Sequence, residues 1–172
     1  MYSSFLTWFT ICFFCFALRT IFNFLRYRHH KIANTRIFVN IIYGVMFILW
    51  FSWFQMCFID PVKMSLPLWG RLAGLLLFIS GVSLFILAHL KMKGFTEQGF
   101  VEMRGIYSKI RNPMYLGFII WVVGFPIFLE KKSSLLSSII WISFFMIWKR
   151  LEEKELEIKF PEYKEYKKLT WF

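Results

Sequence analysis

Long uninterrupted apolar stretches dominate this sequence and restrict the folds that it can adopt. A helix needs about 20 apolar residues to cross roughly 30 Å of hydrocarbon, and runs of that kind recur along the chain. With 58% hydrophobic and 22% aromatic residues, a soluble domain of 172 residues could not bury so much apolar surface. The predicted spans are Ser4–Leu25, Ile37–Ile59, Leu68–Leu90, Met114–Leu129 and Leu135–Trp148. The sequence therefore predicts an all-α, polytopic membrane protein with about five transmembrane helices.

The last two predicted spans differ from the others because both are short. Only Glu130–Ser134 separates them, so they are interpreted as a helical hairpin or as tilted helices in a thinned or protein-lined region. The charged tail Lys149–Phe172 continues the fifth helix, and Pro161 is expected to interrupt it before a short final helix. The aromatic residues of the tail expected at the headgroup level are Tyr163, Tyr166, Trp171 and Phe172.

Positive charge is concentrated on one side of the predicted spans. Of the 21 basic residues, only Lys63, Arg71, Lys131 and Lys132 fall on the other side. The positive-inside rule therefore predicts an outside N-terminus, a cytoplasmic C-terminal tail and an odd number of spans. The net charge of +11 fits this asymmetry and attraction to anionic lipid, whereas nucleic-acid binding would need a basic soluble surface.

The chain is predicted to form one integral membrane domain over residues 1–172, with its motifs in residues 91–172. Gly74 and Gly81 lie in the third span, where small residues allow helices to approach closely. The first span is not interpreted as a removable signal peptide, because it lacks a basic leading segment and contains Arg19.

The three cysteines give no indication of metal or redox chemistry. Cys12, Cys15 and Cys57 all lie inside predicted spans, without a second cysteine pair or a set of histidines. Packing among helices and lipid is therefore their expected role, and no metal site is predicted.

A dense polar cluster precedes the fourth span, in Gly105–Gly117. Pro113 suits the first turn of a helix, and Asn112 before it is a natural N-cap. The start of the helix would attract an anionic group, while Tyr107 and Tyr115 add aromatic faces and hydroxyls. An ordinary capped helix with interfacial tyrosines would show the same pattern, so this cluster alone does not define a site.

A second polar cluster follows the fifth span. Glu152 and Glu153 come just after Lys149 and Arg150. A solvated helix face with ion pairs explains Glu155 and Glu157 well, but charges close to a bilayer usually have a partner or a function. Glu152, the glutamate nearest the membrane, is therefore a candidate binding residue.

Together the two clusters resemble a known superfamily. The order is Gly-x-Tyr, Arg-Asn-Pro-x-Tyr-x-Gly, a helical hairpin and then Glu-Glu-x-x-Leu-x-x-x-Phe-x-x-Tyr-x-x-Tyr, running from Gly105 to Tyr166. This order is similar to that of the isoprenylcysteine carboxyl methyltransferase and phospholipid methyltransferase superfamily. The resemblance covers roughly Lys91–Tyr166, and the first two spans carry no part of it.

The resemblance implies an S-adenosyl-L-methionine-dependent methyltransferase whose cofactor pocket faces the cytoplasm. Its acceptor would be a lipidic molecule or a lipidated group, either an isoprenylcysteine-like carboxylate or a phospholipid amine. The positions implied to bind the cofactor are Gly99, Phe100, Val101, Glu102, Tyr107, Asn112, Pro113, Met114, Tyr115, Glu152 and Glu153.

The resemblance also implies catalytic positions, with one departure. Members that methylate a carboxylate tend to hold it with an arginine one helical turn before the first glutamate, where this chain has Trp148. Arg111 and Arg150 are the candidates to replace that arginine. Tyr107, Tyr115 and Glu153 are the candidates to assist deprotonation, which an amine acceptor needs and a carboxylate does not.

Two other functions compete with methyl transfer. Membrane sterol reductases that use a nicotinamide cofactor look similar in this region, but they tend to carry an acidic residue where this chain has Phe118. A non-catalytic membrane binding protein would leave the polar clusters without ligands. The sequence does not predict the oligomeric state.

Overall fold

The computed structural model describes residues 2–28, 35–92 and 105–172. Within these ranges the regular elements are helices, with two isolated β-bridges and no strand, so the predicted all-α fold is confirmed. The helices are α1 (Tyr2–Tyr27), α2 (Arg36–Ile59), α3 (Leu68–Met92), α4 (Pro113–Phe128), α5 (Lys132–Lys159) and α6 (Tyr163–Leu169), with a 3₁₀ turn at Gly105–Ser108.

The predicted spans correspond to α1 to α5. Four of these helices are long and apolar enough to cross a membrane, and α4, with 16 residues, is shorter. The fifth span was predicted to end at Trp148, and its helix continues as expected into the charged tail, up to Lys159. The helical structure is then interrupted at Phe160 and Pro161, before the short helix α6.

Successive helices run in opposite directions, so two ends of the bundle can be defined. At the Asp60 end, α2 stops beside the start of α5. At the Arg111 end, α4 begins beside the charged part of α5, and α1 finishes close to Glu155. Hence the polar clusters before α4 and after the apolar part of α5, distant in sequence, meet at the Arg111 end.

Aromatic rings fill the core between these helices. Phe16 of α1 stacks between Trp141 and Trp148 of α5, with ring centroids 4.8 and 5.2 Å away. The ring of Trp50 on α2 lies 4.4 Å from that of Trp121 on α4. Buried beside these rings are the free thiols of Cys12, Cys15 and Cys57. Because stacked and tilted aromatic pairs prefer a limited set of geometries, this core fixes how the helices face one another.

Glycines bring α3 and α4 into backbone contact. Gly74 and Gly81 are two turns apart on α3, and Gly117 and Gly124 are two turns apart on α4, so each pair lies on one helix face. A Cβ on Gly81 would lie 2.7 Å from the Gly117 carbonyl oxygen, and one on Gly124 would lie 2.5 Å from the Phe78 nitrogen. The close approach predicted for Gly74 and Gly81 is therefore confirmed, and Gly117 serves helix packing as well.

A single buried carboxylate joins two helices at the Asp60 end. Asp60 Oδ2 accepts hydrogen bonds from the Ser134 backbone nitrogen (2.7 Å) and hydroxyl (2.9 Å), while Oδ1 accepts from the Val62 nitrogen (2.9 Å). Ser134 lies in the first turn of α5, where backbone N–H groups need acceptors. Asp60 thus caps a helix 70 residues later in the chain and holds it against the end of α2.

Replacing Asp60 with alanine is expected to lower the free energy of unfolding by about 2 kcal/mol, because buried donors on Ser134 and Val62 would lose their acceptor. Asp60→Asn keeps one acceptor oxygen and should lose less. Thermal unfolding of the purified protein in detergent would measure both variants beside Glu162→Ala, which removes an exposed carboxylate at the other end of the bundle. Equal stability of Asp60→Ala and wild type would contradict the cap.

Candidate functional site at the Arg111 end

A cavity of about 530 Å³ opens at the Arg111 end, a size typical of sites for small molecules. Side chains from all six helices line it, and its walls are mostly apolar and aromatic. Seven of the predicted site residues are among those that line it: Tyr107, Arg111, Asn112, Pro113, Met114, Tyr115 and Glu152. The structure therefore brings the two sequence clusters to one cavity.

Of the two carboxylates that the described residues contribute to the cavity lining, Glu155 is paired with Arg26 and Lys159, and the other is that of Glu152. Its Oε2 atom accepts a hydrogen bond of 2.7 Å from the hydroxyl of Tyr115, across the gap between α5 and α4. In the described part of the chain, no donor lies within hydrogen-bond distance of Oε1. A ligand donor could therefore bind Glu152 without displacing Tyr115.

Glu153, the neighbouring carboxylate, is buried in a network that ties the site together. Its Oε1 atom accepts from Arg111 Nε at 2.8 Å and from Asn112 Nδ2 at 2.6 Å. Its Oε2 atom lies 3.1 Å from Lys167 Nζ. These contacts fix the start of α4 and the tail to α5. The amide of Asn112 is used here, so the predicted capping hydrogen bond is not made although Asn112 occupies the N-cap position.

The end of the tail packs against the start of α4. The Arg111 nitrogen donates to the Trp171 carbonyl oxygen at 3.1 Å, and the Trp171 nitrogen donates to that of Lys109 at 3.1 Å. Arg111 Nη1 donates to the Thr170 carbonyl oxygen at 2.9 Å, and Asn112 Nδ2 to that of Phe172 at 3.0 Å. The tail is thus part of the wall of the cavity.

Two tail tyrosines differ from the expectation of a headgroup location. Tyr163 and Tyr166 are 1% and 5% exposed and line the cavity, because α6 folds back under the start of α4. The Tyr166 hydroxyl donates to the Tyr107 carbonyl oxygen. The buried Tyr163 hydroxyl has no hydrogen-bond partner in the described part of the chain. Burial raises the pKa of Tyr163, so its hydroxyl stays protonated at pH 7 and can donate to a ligand.

Not every predicted site residue reaches the cavity. Arg150 is exposed and absent from the lining, since it lies two positions before Glu152 on a regular helix and points away from it. Arg111 lines the cavity, but Glu153 and the tail carbonyls engage its guanidinium. The predicted cofactor positions Gly99, Phe100, Val101 and Glu102 lie outside the described residues.

Polar residues of α1 also line the cavity, and the sequence reasoning missed them. Arg19, Asn23 and Arg26 are spaced by four and three residues, so they share one face of the helix. That spacing, inside an otherwise apolar span, was a readable signal, because ionisable residues in membrane spans usually have a function. Trp148, which replaces the expected arginine, donates from Nε1 to Thr20 Oγ1 on α1 at 2.7 Å.

Comparison with known proteins agrees with this architecture, in which apolar helices surround a cavity that polar side chains also line. The phospholipid methyltransferase family matches residues 69–162, which is more than half of the chain. The match begins at the second residue of α3 and ends just after α5. This chain therefore belongs to the phospholipid methyltransferase family, and the resemblance inferred from the motifs is confirmed. It is an integral membrane methyltransferase of a family that acts on lipid substrates. Searches of curated proteins and of solved structures found no match.

The matched region contains Tyr107, Tyr115, Glu152 and Glu153 but excludes α1 and α2. The cavity is thus built partly from the family region and partly from helices that the match does not reach.

Proposed function

We propose that this protein transfers a methyl group from S-adenosyl-L-methionine to the amine of a phospholipid headgroup, in the cavity at the Arg111 end. The observation that carries the proposal is the Tyr115–Glu152 pair in a cavity of suitable size, within the region matched by the family. Methyltransferases of this family generally use this cofactor. Because the basic residues concentrate at this end, we place the cavity and the tail on the cytoplasmic side. We also treat the whole chain as one domain.

The residues of the cavity fit the cofactor. Its α-amine and ribose hydroxyls need acceptors, and Glu152 offers Oε1. The unpartnered Tyr163 hydroxyl is a buried donor that a polar ligand group would satisfy. Aromatic rings of Tyr107 and Tyr115 suit an adenine face or a cationic sulfur. When bound, the cofactor supplies an electrophilic methyl group.

The chain itself contributes alignment, exclusion of water and proton handling. Methyl transfer needs the nucleophile in line with the methyl group, so a cavity wall fixed by the Glu153 network provides most of the advantage. An ammonium headgroup must lose a proton before it attacks. Glu152 can receive that proton directly or through water, or through Tyr115, whose hydroxyl can take the proton while passing its own to Glu152 Oε2.

An amine acceptor is favoured over a carboxylate. The family match supports phospholipid substrates, and the position expected to hold an acceptor carboxylate carries Trp148, whose indole N–H is already bonded to Thr20. The two predicted replacements are not available for a carboxylate, because Arg150 points away from the cavity and Arg111 is paired, which leaves Arg19 as the unpaired arginine among the described residues of the cavity. The match to a methyltransferase family also disfavours a nicotinamide-dependent reductase.

Calorimetric binding of S-adenosylhomocysteine tests the cofactor site. Wild-type protein in detergent should bind it, and Glu152→Gln should weaken binding about tenfold or more, equivalent to about 1.4 kcal/mol. The matched control is Glu157→Gln, which removes a carboxylate from the same helix outside the cavity and should bind like wild type. Folded wild-type protein that binds no S-adenosylhomocysteine, with or without phospholipid present, would refute the proposal.

Transfer of labelled methyl groups to lipids tests the acceptor. Labelled methyl should appear on phosphatidylethanolamine in reconstituted vesicles. Label found instead as a base-labile ester on a carboxylate lipid would refute the amine assignment and retain the cofactor.

A further inference from the structure

The polar face of α1 gives the cavity a feature that lies outside the family region. Arg19, Asn23 and Arg26 project from this face, and all three line the cavity. Arg26 Nε is paired with Glu155 Oε2 at 2.9 Å, so it links α1 to α5. Arg19 has no such role and therefore needs another explanation.

Arg19 presents a guanidinium without a counter-ion. In the described part of the chain no carboxylate lies within 4.0 Å of it, and its buried Nε atom has no hydrogen-bond partner. The rings of Phe22 and Trp148 lie beside it, with centroids 5.0 and 5.9 Å from the guanidinium carbon. Rings accommodate a cation but satisfy none of its N–H donors. A buried donor of this kind is costly unless a ligand supplies the acceptor.

The depth of Arg19 matches the headgroup level of a bilayer. Thr20, its neighbour, is hydrogen-bonded to Trp148 at 2.7 Å. Helix α5 carries no charged residue from Ser133 to Trp148 and is strongly charged from Lys149 onward. Arg19 therefore lies where the uncharged part of the bundle ends, which is where the polar group of an embedded lipid is found.

Of the charged groups that line the cavity, Arg26 is paired with Glu155 and Arg111 with Glu153, whereas Glu152 and Arg19 make no ion pair in the described part of the chain. Glu152 offers a carboxylate on α5, and Arg19 offers a guanidinium on α1, both facing the same space. An aminophospholipid headgroup carries an ammonium and a phosphate a few bonds apart. Its phosphate suits the planar fork of Arg19, which binds phosphate oxygens in pairs, and its ammonium would lie toward the negative charge of Glu152.

We propose that Arg19 binds the phosphate of the acceptor lipid headgroup and so selects phosphate-bearing lipids for this cavity. This inference rests on the proposed function in taking the acceptor to be a phospholipid. It adds a binding residue supplied by α1, where the family match does not reach.

Titration of detergent-solubilised protein with single-chain lipids tests the inference without turnover. Lysophosphatidylethanolamine should bind at least tenfold more tightly than a monoacylglycerol with the same acyl chain. Arg19→Gln should weaken binding of lysophosphatidylethanolamine about tenfold or more, the effect of losing charged hydrogen bonds, and leave the monoacylglycerol unchanged. Arg19→Lys retains the charge without the planar fork, so its affinity for lysophosphatidylethanolamine should lie between those of wild type and Arg19→Gln. The control Arg28→Gln removes an exposed charge from the end of α1, outside the cavity, and should bind like wild type.

Other ligands separate the sources of the anionic group. A fatty acid of the same chain length that binds more tightly than lysophosphatidylethanolamine would overturn the phosphate assignment. Glycerophosphoethanolamine, which lacks the acyl chain, should bind far more weakly, and binding as tight as that of the lipid would overturn a lipid site. Equal affinity of wild-type protein for lysophosphatidylethanolamine and monoacylglycerol would overturn the inference even if Arg19→Gln does not fold.

The two proposals fail in different ways. Arg19-dependent lipid binding without methyl transfer would support the phosphate site and refute the reaction. Methyl transfer to phosphatidylethanolamine with lipid binding unaffected by Arg19→Gln would support the reaction and refute the phosphate site.

Discussion

Replacing Glu153 with alanine is expected to lower the free energy of unfolding by about 3–5 kcal/mol, the usual cost of breaking a buried ion pair by removing one partner. Arg111 and Glu153 are 9% and 7% exposed at the side chain, so water cannot replace their 2.8 Å contact. The same change removes the acceptor for Asn112 and a partner for Lys167. The start of α4 and the tail would both lose their attachment to α5.

Denaturant-induced unfolding in micelles would measure this loss, with Glu165→Ala as the control. Glu165 pairs with Lys168, but both side chains are more than 70% exposed, so that variant should show no measurable change. S-adenosylhomocysteine binding by any folded Glu153→Ala protein should also weaken, because the cavity wall depends on this network. A stability loss no larger than that of the control would mean that the network does not hold the site together.

Replacing Gly124 with leucine is expected to cost about 3 kcal/mol and to separate α3 from α4. A Cβ at this position would lie 2.5 Å from the Phe78 nitrogen and 2.9 Å from the Gly74 carbonyl oxygen. These are backbone atoms of a facing helix, so no side-chain rotation can relieve the overlap. The helices would have to move apart along the whole contact.

Gly44→Leu provides the matched control, because nothing lies within 4 Å of a Cβ at this position of α2. Thermal unfolding in detergent should show a large decrease for Gly124→Leu and little change for Gly44→Leu. Similar behaviour of the two variants would contradict the backbone contact between α3 and α4.

The sequence predicted much of the fold because its strongest signals are physical requirements of a bilayer. Apolar runs identified the spans, and the break at Pro161 identified the end of α5. The continuation of α5 past Trp148 was predicted as well, because the charges there mark the end of the hydrocarbon and not of the helix. The antiparallel order then brought Tyr115 and Glu152 together, as the motif order implied.

Which residue does what at the site was less predictable. Glu152 was the stronger candidate, but Glu153 was also predicted to bind the cofactor. Adjacent residues on a helix point about 100° apart, so Glu152 faces the cavity and Glu153 faces the tail. Asn112 was expected to cap α4 with its side-chain oxygen, but no capping hydrogen bond is made, and its Nδ2 donates to Glu153 and to the Phe172 carbonyl oxygen. The place of Arg19 in the cavity was not predicted, because this residue belongs to none of the motifs and only the helical spacing within α1 indicates it.

The adjacent glutamates also bear on how this protein would tolerate change. Glu153 stabilises the folded state, so its loss would increase unfolding and degradation of the protein in the cell. Glu152 faces the cavity and accepts a single hydrogen bond, from Tyr115, so its loss would lower the amount of protein less and would chiefly alter what the cavity binds. Two neighbouring codons would thus be under different selection, one for abundance and the other for ligand recognition.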